Sequence, residues 1–265
     1  MIIEDIIIQE AQKNPHKIFC NIENCPISYK VFNESVESIQ KIIQATAHSV
    51  KRISLNFNKT IFLLSGIVAC NREKKIPIVI PPKEFQLRNF DYKQSSKSEY
   101  ELNDNSCIVQ YKGRIISKSY IYDADETQCV LFSSGTEGYP KSVELTFSNI
   151  CYSVDSWNSI VNFVSGKMYL NVLPLYHISG LSIFFRSIYC GLSVFYKKYS
   201  SKNIIKMLDK VQPDYVSFVP KMIIDIMKVQ KGFKLLNKIR LIIIGGDAID
   251  KNVFDYLSKL EINSY

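Results

Sequence analysis

The chain lacks any apolar run long enough to cross a membrane. Its longest runs, such as Ile61 to Cys70, are about half of the ~20 residues that a spanning helix needs, so no membrane span is expected. Met1 leads into Ile-Ile-Glu-Asp, with neither a basic start nor a small-residue cleavage pattern; a secretory signal is not expected, and the location is expected to be cytoplasmic. No two of the seven cysteines (Cys20, Cys25, Cys70, Cys107, Cys129, Cys151, Cys190) are spaced Cys-x-x-Cys, and the number is odd. They read as small reduced core residues, with no disulfide framework and no protein-held metal expected. There is no internal repeat and no low-complexity tract. The net charge of +8 comes from lysines scattered along the chain, without the stripe that a nucleic-acid partner requires.

What is present is ordinary for a globular protein. Hydrophobic residues make up 46% and charged residues 22% of 265, enough for one large α/β domain or two small ones. Ile2 to Gln12 has helical spacing and ends at Asn14-Pro15. A strand pair flanks Glu23-Asn24-Cys25, and Ser28 can cap a helix in which Val31, Ser35, Val36, Ile39, Ile42 and Ile43 share a face. Ile53 to Phe57 alternates as a strand, Asn58 is placed to cap a helix over the apolar 61–70 run, and Ile76 to Ile80 is another strand. From Lys83 to Asn105 periodicity fades, which predicts a surface connection and a domain break, giving units 1–105 and 106–265. A hairpin around Lys112-Gly113 follows. Beyond Asn149, strands (168–173, 192–196, 214–219, 239–244) alternate with helices (180–189, 201–211, 221–229, 251–260), with Ser200 or Ser201 as the cap of the second. That rhythm demands mostly parallel sheets flanked by helices, with ligands beyond the carboxyl ends of the strands.

The stretch Phe132 to Val143 reads Phe-Ser-Ser-Gly-Thr-Glu-Gly-Tyr-Pro-Lys-Ser-Val. Its glycines allow close backbone approach, its hydroxyls donate, and Lys141 supplies a compact charge, which together suit a polyphosphate. A plain surface turn has similar composition. The flanks favour function, since Cys129 to Phe132 is apolar and Val143, Leu145 and Phe147 alternate with polar residues, so the loop is expected to join two buried strands. Gly135, Lys141 and Ser142 also match a Walker loop, but Pro140 stands at its second glycine without an N–H to donate, and a strand pattern follows where a helix must open.

The stretch resembles the phosphate loop of the adenylate-forming superfamily: acyl-CoA synthetases, luciferases and peptide-synthetase adenylation domains. Their pattern is Thr/Ser-Ser-Gly-Thr-Thr-Gly-x-Pro-Lys-Gly. Ser133, Ser134, Gly135, Thr136, Gly138, Pro140 and Lys141 fit it, while Glu137 and Ser142 depart from it. Two later segments are similar to the same superfamily in the same order. Leu173 to Ile183, Leu-Pro-Leu-Tyr-His-Ile-Ser-Gly-Leu-Ser-Ile, looks most like the o-succinylbenzoate–CoA ligases of menaquinone synthesis, and Asp214 to Pro220 is similar to their next strand. By residue chemistry alone His177 reads as a hydrogen-bonded structural histidine; the resemblance implies that its ring borders the acyl pocket and the ATP phosphates. Ile244-Gly-Gly-Asp-Ala248 can be a tight strand-to-helix turn with Asp247 near the helix start, or, as the resemblance implies, a bed for adenine made by Gly245, Gly246 and Asp247.

The resemblance implies the large N-terminal domain of an acyl-CoA synthetase without its β-barrel and C-terminal lid. It further implies ATP, Mg2+ and CoA as cofactors and a small carboxylic acid of the o-succinylbenzoate type as substrate. Ser133, Ser134, Gly135, Thr136, Glu137, Gly138 and Lys141 would line the phosphates, with Lys141 and His177 acting on the reaction. Tyr265 matches the tyrosine of Tyr-Gly-x-Thr-Glu. The magnesium glutamate, the ribose aspartate and the lid lysine follow that tyrosine in relatives. The chain alone is therefore expected to be incomplete as a catalyst, or to be completed by a second chain. A non-catalytic or degenerate nucleotide- or acyl-binding protein is the alternative, because the Glu137 carboxylate repels polyphosphate unless magnesium bridges them.

Overall fold

A computed structural model describes residues 2–88, 90–108, 120–133, 138–260 and 263–264. Contacts group the chain into two compact units. One holds Met1–Phe19, Ile27–Val161 and Tyr176–Ile178; the other holds Cys20–Pro26, Asn162–Leu175 and Ser179–Tyr265.

The chain starts with α1 (Ile3–Lys13), the hairpin β1 (Ile18–Ile22) and β2 (Cys25–Ser28), and α2 (Tyr29–Thr46). The hairpin turns on Glu23 and Asn24, whose φ angles of 51° and 73° make the left-handed pair that matches strand twist. Ser28 caps α2 as expected, accepting the Val31 amide at 3.3 Å. Phe32, Val36, Ile39 and Ile43 form the buried stripe of α2. Val31 does not join it: at 46% exposure it faces outward, one turn-step from Phe32.

The first unit continues through β3 (Arg52–Asn56), α3 (Thr60–Arg72), β4 (Ile76–Val79), a 3-10 turn Lys83–Phe85, α4 (Tyr92–Ser95), β5 (Tyr100–Asn103) and a second 3-10 turn Asp104–Ile108. It closes with β6 (Thr127–Ser133), β7 (Lys141–Thr146) and α5 (Phe147–Val161). Its sheet runs β5-β3-β4-β6-β7, parallel except for the antiparallel β6–β7 pair. The 83–105 stretch is not a surface connection. Its β5 pairs with β3 from Ile53↔Tyr100 to Asn56↔Asn103, and the Tyr92 ring is buried, so the expected break at 105/106 falls inside this unit. Asn58 does not cap α3 either; its amide and side chain donate to Asp104, whose carboxylate also receives the Lys59 amide. Of the hairpin expected from Cys107–Tyr111 and Arg114–Ile116 around Lys112-Gly113, Cys107 and Ile108 instead end the second 3-10 turn, and the rest lies outside the described residues.

The second unit contains β8 (Met168–Asn171), α6 (Ile178–Cys190), β9 (Ser193–Tyr196), α7 (Ile204–Val211), β10 (Tyr215–Phe218), α8 (Pro220–Met227), α9 (Gly232–Leu236), β11 (Leu241–Ile244), α10 (Lys251–Leu257) and β12 (Asn263–Ser264). Their sheet has the order β12-β11-β10-β8-β9-β1-β2, parallel from β12 to β1. Neither Ser200 nor Ser201 caps α7 by its side chain; the Ser200 carbonyl accepts the Asn203 and Ile204 amides instead. The short α9 was not anticipated, since five residues carry too little periodicity to register. No described helix is long and apolar enough to cross a membrane.

Candidate functional site

In the first unit the hairpin β6–β7 presents the loop that sequence singled out. Ser133 and Lys141 face each other at its base, and the Ser133 hydroxyl donates to the Lys141 carbonyl at 3.4 Å. Gly138 has φ +83°, a conformation glycine adopts freely, and a Cβ there would meet nothing within 4 Å. Among the described residues, nothing crowds the backbone there. Ser134, Gly135, Thr136 and Glu137 lie outside the described residues. The expectation of two buried strands holds for β6 alone. β7 is the edge of the sheet, with Lys141 to Glu144 exposed, because alternation reports two faces without saying that both are covered.

Aromatic rings hold the loop stems. Phe90 stacks on Tyr139 at 6.4 Å and 29°, meets Phe132 edge-on at 6.4 Å and packs against Tyr92 at 4.8 Å. Tyr92 in turn meets Phe132 at 4.9 Å and 81°. Tyr92 and Phe132, with Ile78, Ile80 and Val130, form a local core against which Phe90 packs. Also in this unit, His177 is exposed with the Tyr176 ring 4.5 Å away, and Tyr176 stacks on Phe85 at 5.5 Å and 29°. Partial desolvation among these neighbours holds the His177 imidazole below its ordinary value, so it is largely neutral at pH 7.

In the second unit the chain runs outward from β8 to β9 and then back past β8 to β10. The strand order therefore reverses between β8 and β10, which is where open α/β sheets leave a crevice at their carboxyl ends. On one side buried Asn171 fixes the exit of β8: its amide donates to the Gly180 carbonyl at 2.9 Å, and its oxygen accepts the Leu173 amide at 3.0 Å. Gly180 admits no side chain, as a Cβ would lie 2.2 Å from the Pro174 carbonyl oxygen. On the other side Phe218 accepts the Gly245 amide at 3.2 Å, and Gly246, at φ +88°, passes Val219. Gly245 faces open space. Asp247 does not open the following helix: its carboxylate accepts the adjacent Ala248 amide, and Asp250 is the cap of α10. Tyr265 lies outside the described residues. Sequence reasoning missed Asn171, Phe85 and Phe90. A buried asparagine at a strand end carries a weak signal, and the two phenylalanines sit in a stretch whose polar composition concealed them.

Among the described residues no three His, Cys, Asp or Glu side chains gather where they could hold a metal ion. The fold and these loops define an α/β protein with a hydroxyl-and-lysine hairpin loop in one unit and a glycine turn on a parallel-sheet edge in the other. The AMP-binding enzyme family matches residues 68–263, and the chain belongs to that family. It is 27% identical over 186 residues to the 2-succinylbenzoate–CoA ligase of Listeria innocua, covering 67% of this chain and 39% of that one. To the ligase of the same name from Staphylococcus aureus (strain Newman) it is 24% identical over 292 residues, covering 94% and 58%. Its fold matches o-succinylbenzoate coenzyme A synthetase from Bacillus subtilis in complex with AMP, with a TM-score of 0.81 at 19% identity, over 98% of this chain and 57% of that one. It matches the Klebsiella oxytoca NpsA N-terminal subdomain with a TM-score of 0.83 at 11% identity, over 98% and 72%. The α/β fold is that of the N-terminal domain of acyl-CoA synthetases, and the described residues form no closed barrel. The chain spans 39% to 58% of the curated relatives just named.

Proposed function

We propose that the protein takes part in ATP-dependent activation of a small carboxylic acid and its transfer to CoA, the acid being of the o-succinylbenzoate type. The observation that carries this reading is the β6–β7 hairpin loop, with a bare glycine at φ +83° and Lys141 opposite Ser133. Within a family of AMP-binding enzymes, a glycine-hydroxyl-lysine loop is suited to hold the β and γ phosphates. The acid is supported by the names of the curated relatives from Listeria and Staphylococcus.

In the proposed reaction a carboxylate oxygen attacks the α-phosphorus and the bond to the bridging oxygen breaks. Pyrophosphate leaves, and the CoA thiol, losing its proton, then displaces AMP from the acyl carbon. Lys141, with Ser133, Ser134, Gly135, Thr136 and Gly138, would stabilise charge on the departing pyrophosphate. His177, neutral at pH 7, can donate a hydrogen bond to a phosphate or carboxylate oxygen without adding a charge. Gly245, Gly246 and Asp247 offer an exposed turn against which a flat ring can lie. Mg2+ would reach such a site on the nucleotide's phosphates, a mode that asks only one or two carboxylates of the protein, and Glu137 is a candidate to face it.

Titration calorimetry with Mg-ATP tests the reading. Loss of a charge-assisted contact in Lys141→Ala should weaken binding roughly 10- to 100-fold. His177→Ala should weaken it less, since that ring is mostly neutral. Equal losses, or none, would remove the nucleotide from this loop. Pyrophosphate release by the 265-residue chain is expected to be slight with any acid, and a preference for o-succinylbenzoate over benzoate in what release there is tests the acid.

A further inference from the structure

The segment from Pro81 to Tyr92 carries no residue of the proposed reaction, yet it touches both loops of the first unit that do. Phe85, at the end of its 3-10 turn, stacks on Tyr176, the residue before His177. Phe90 stacks on Tyr139, the residue after Gly138, and meets Phe132, the residue before Ser133. One ring therefore contacts both stems of the hairpin loop. The segment's described residues are themselves fixed. The Gln86 side chain donates to the Pro81 carbonyl at 2.8 Å, the Leu87 amide donates to the Tyr92 hydroxyl at 3.0 Å, and Asp91 accepts the Lys93 and Gln94 amides at 2.9 Å. Tyr92 then anchors it on Phe132 in the core.

Packing alone does not require this arrangement. Phe85 is 51% exposed and Tyr139 62% exposed, so neither ring is where burial would put it. Rings stacked with an offset at the surface gain beyond the area they bury and hold a neighbouring backbone in one orientation.

We infer that Phe85 and Phe90 are positioning residues of the site, in which Phe90 sets the two stems of the β6–β7 hairpin at Phe132 and Tyr139, the latter leading to Lys141, and Phe85 sets the Tyr176 backbone that carries His177. The positioning itself follows from the ring contacts; its consequence for nucleotide rests on the function proposed above. Stacked pairs of this kind contribute enough to change a loop's occupancy of one geometry roughly two- to tenfold.

The test uses the whole chain with Phe85→Leu and Phe90→Leu, which keep bulk and remove the stack, and Phe85→Tyr and Phe90→Tyr, which restore it. Two readouts need no nucleotide. Amide exchange at Tyr139 and Lys141 should speed up roughly two- to tenfold in Phe90→Leu and return in Phe90→Tyr. The NMR titration of His177, assigned with His177→Gln, should move upward toward that of a free histidine in Phe85→Leu and stay in place in Phe90→Leu. Unchanged loop exchange and an unchanged His177 titration in the leucine variants overturn the inference, as does failure of the tyrosine variants to restore either. Mg-ATP affinity is the third readout, with Phe90→Leu expected to weaken it roughly two- to tenfold. If neither the unaltered chain nor Lys141→Ala binds Mg-ATP, the functional reading fails, while exchange and titration still decide the positioning.

Discussion

At the scale of the residue, Glu4 is a strongly desolvated carboxyl that lies outside the proposed site. The residue is 1% exposed and among the described residues neither carboxyl oxygen has a partner in good hydrogen-bond geometry, although its own backbone amide, the Arg72 guanidinium, Asn71 and Tyr122 lie close enough to favour the charged form. Burial outweighs them and lifts the carboxyl from 4.5 to about 7. The same burial lowers Arg72, so both members of the pair lose more to desolvation than they regain from attraction. The sign follows. Because the folded value is above the unfolded one, the folded protein binds the proton more tightly, and stability present below pH 4.5 is lost as pH rises through about 7. A shift of this size corresponds to about 3 kcal/mol between the ends of that window. Glu4→Gln, which keeps the shape and cannot ionise, should flatten the dependence and raise the thermal midpoint at pH 8 by roughly 5–10 °C. Thermal melts at pH 5 and pH 8 check it; parallel curves for both proteins would mean that Glu4 is not the group responsible. Gly180→Ala is the steric counterpart. A Cβ 2.2 Å from a backbone oxygen cannot be relieved by a side-chain rotation, so a loss of about 2 kcal/mol or more is expected in denaturant titration.

At the scale of the element, local signals were legible and distant ones were not. Ser28 could be read as the cap of α2 because its partner, Val31, is three residues on. The start of α3 could not, because the carboxylate that receives the Asn58 and Lys59 amides is Asp104, 46 and 45 residues further along. Asp104→Ala should therefore destabilise the first unit by about 1 kcal/mol, at the lower end for lost amide acceptors because these bonds are partly solvated. Asp104→Asn should recover part of that, and a chemical-denaturation series in which all three proteins coincide would contradict the assignment. The alternation at Val143 and Leu145 identified β7 as a strand but could not say that it lies at an edge, since sheet order is a long-range property. Phe85, Phe90 and Tyr92 were overlooked for the same reason: their partners, Tyr176, Tyr139 and Phe132, lie 40 or more residues away and make no local period. The proposed site strings stood out in the sequence because each is contiguous. The reversal of strand order between β8 and β10 emerged only with the sheet.

At the scale of the whole molecule, the two units are not two consecutive lengths of chain. Residues Cys20–Pro26 belong with Asn162–Leu175 and Ser179–Tyr265, although most of the first unit separates them in sequence. Their contribution is an extension of the seven-stranded sheet, in which β1 lies parallel to β9 with Cys20↔Val194, Asn21↔Phe195 and Ile22↔Tyr196 in register. Without them β9 becomes an edge whose Val194, Phe195 and Tyr196, all buried in the intact chain, stand beside unpaired backbone groups. A long-range pairing of this kind forms late, because the loop that closes it is costly to order. We therefore predict that residues 162–265 alone associate in a concentration-dependent way, although they include every helix of the second unit. A peptide spanning residues 17–28 should suppress that association and raise the thermal midpoint, while a scrambled peptide should not. Sedimentation of the fragment with and without the peptide decides the matter. A monodisperse monomer, indifferent to the peptide, would show that β9 needs no neighbour on that side and that the N-terminal hairpin is an ornament of the sheet, not part of what holds it.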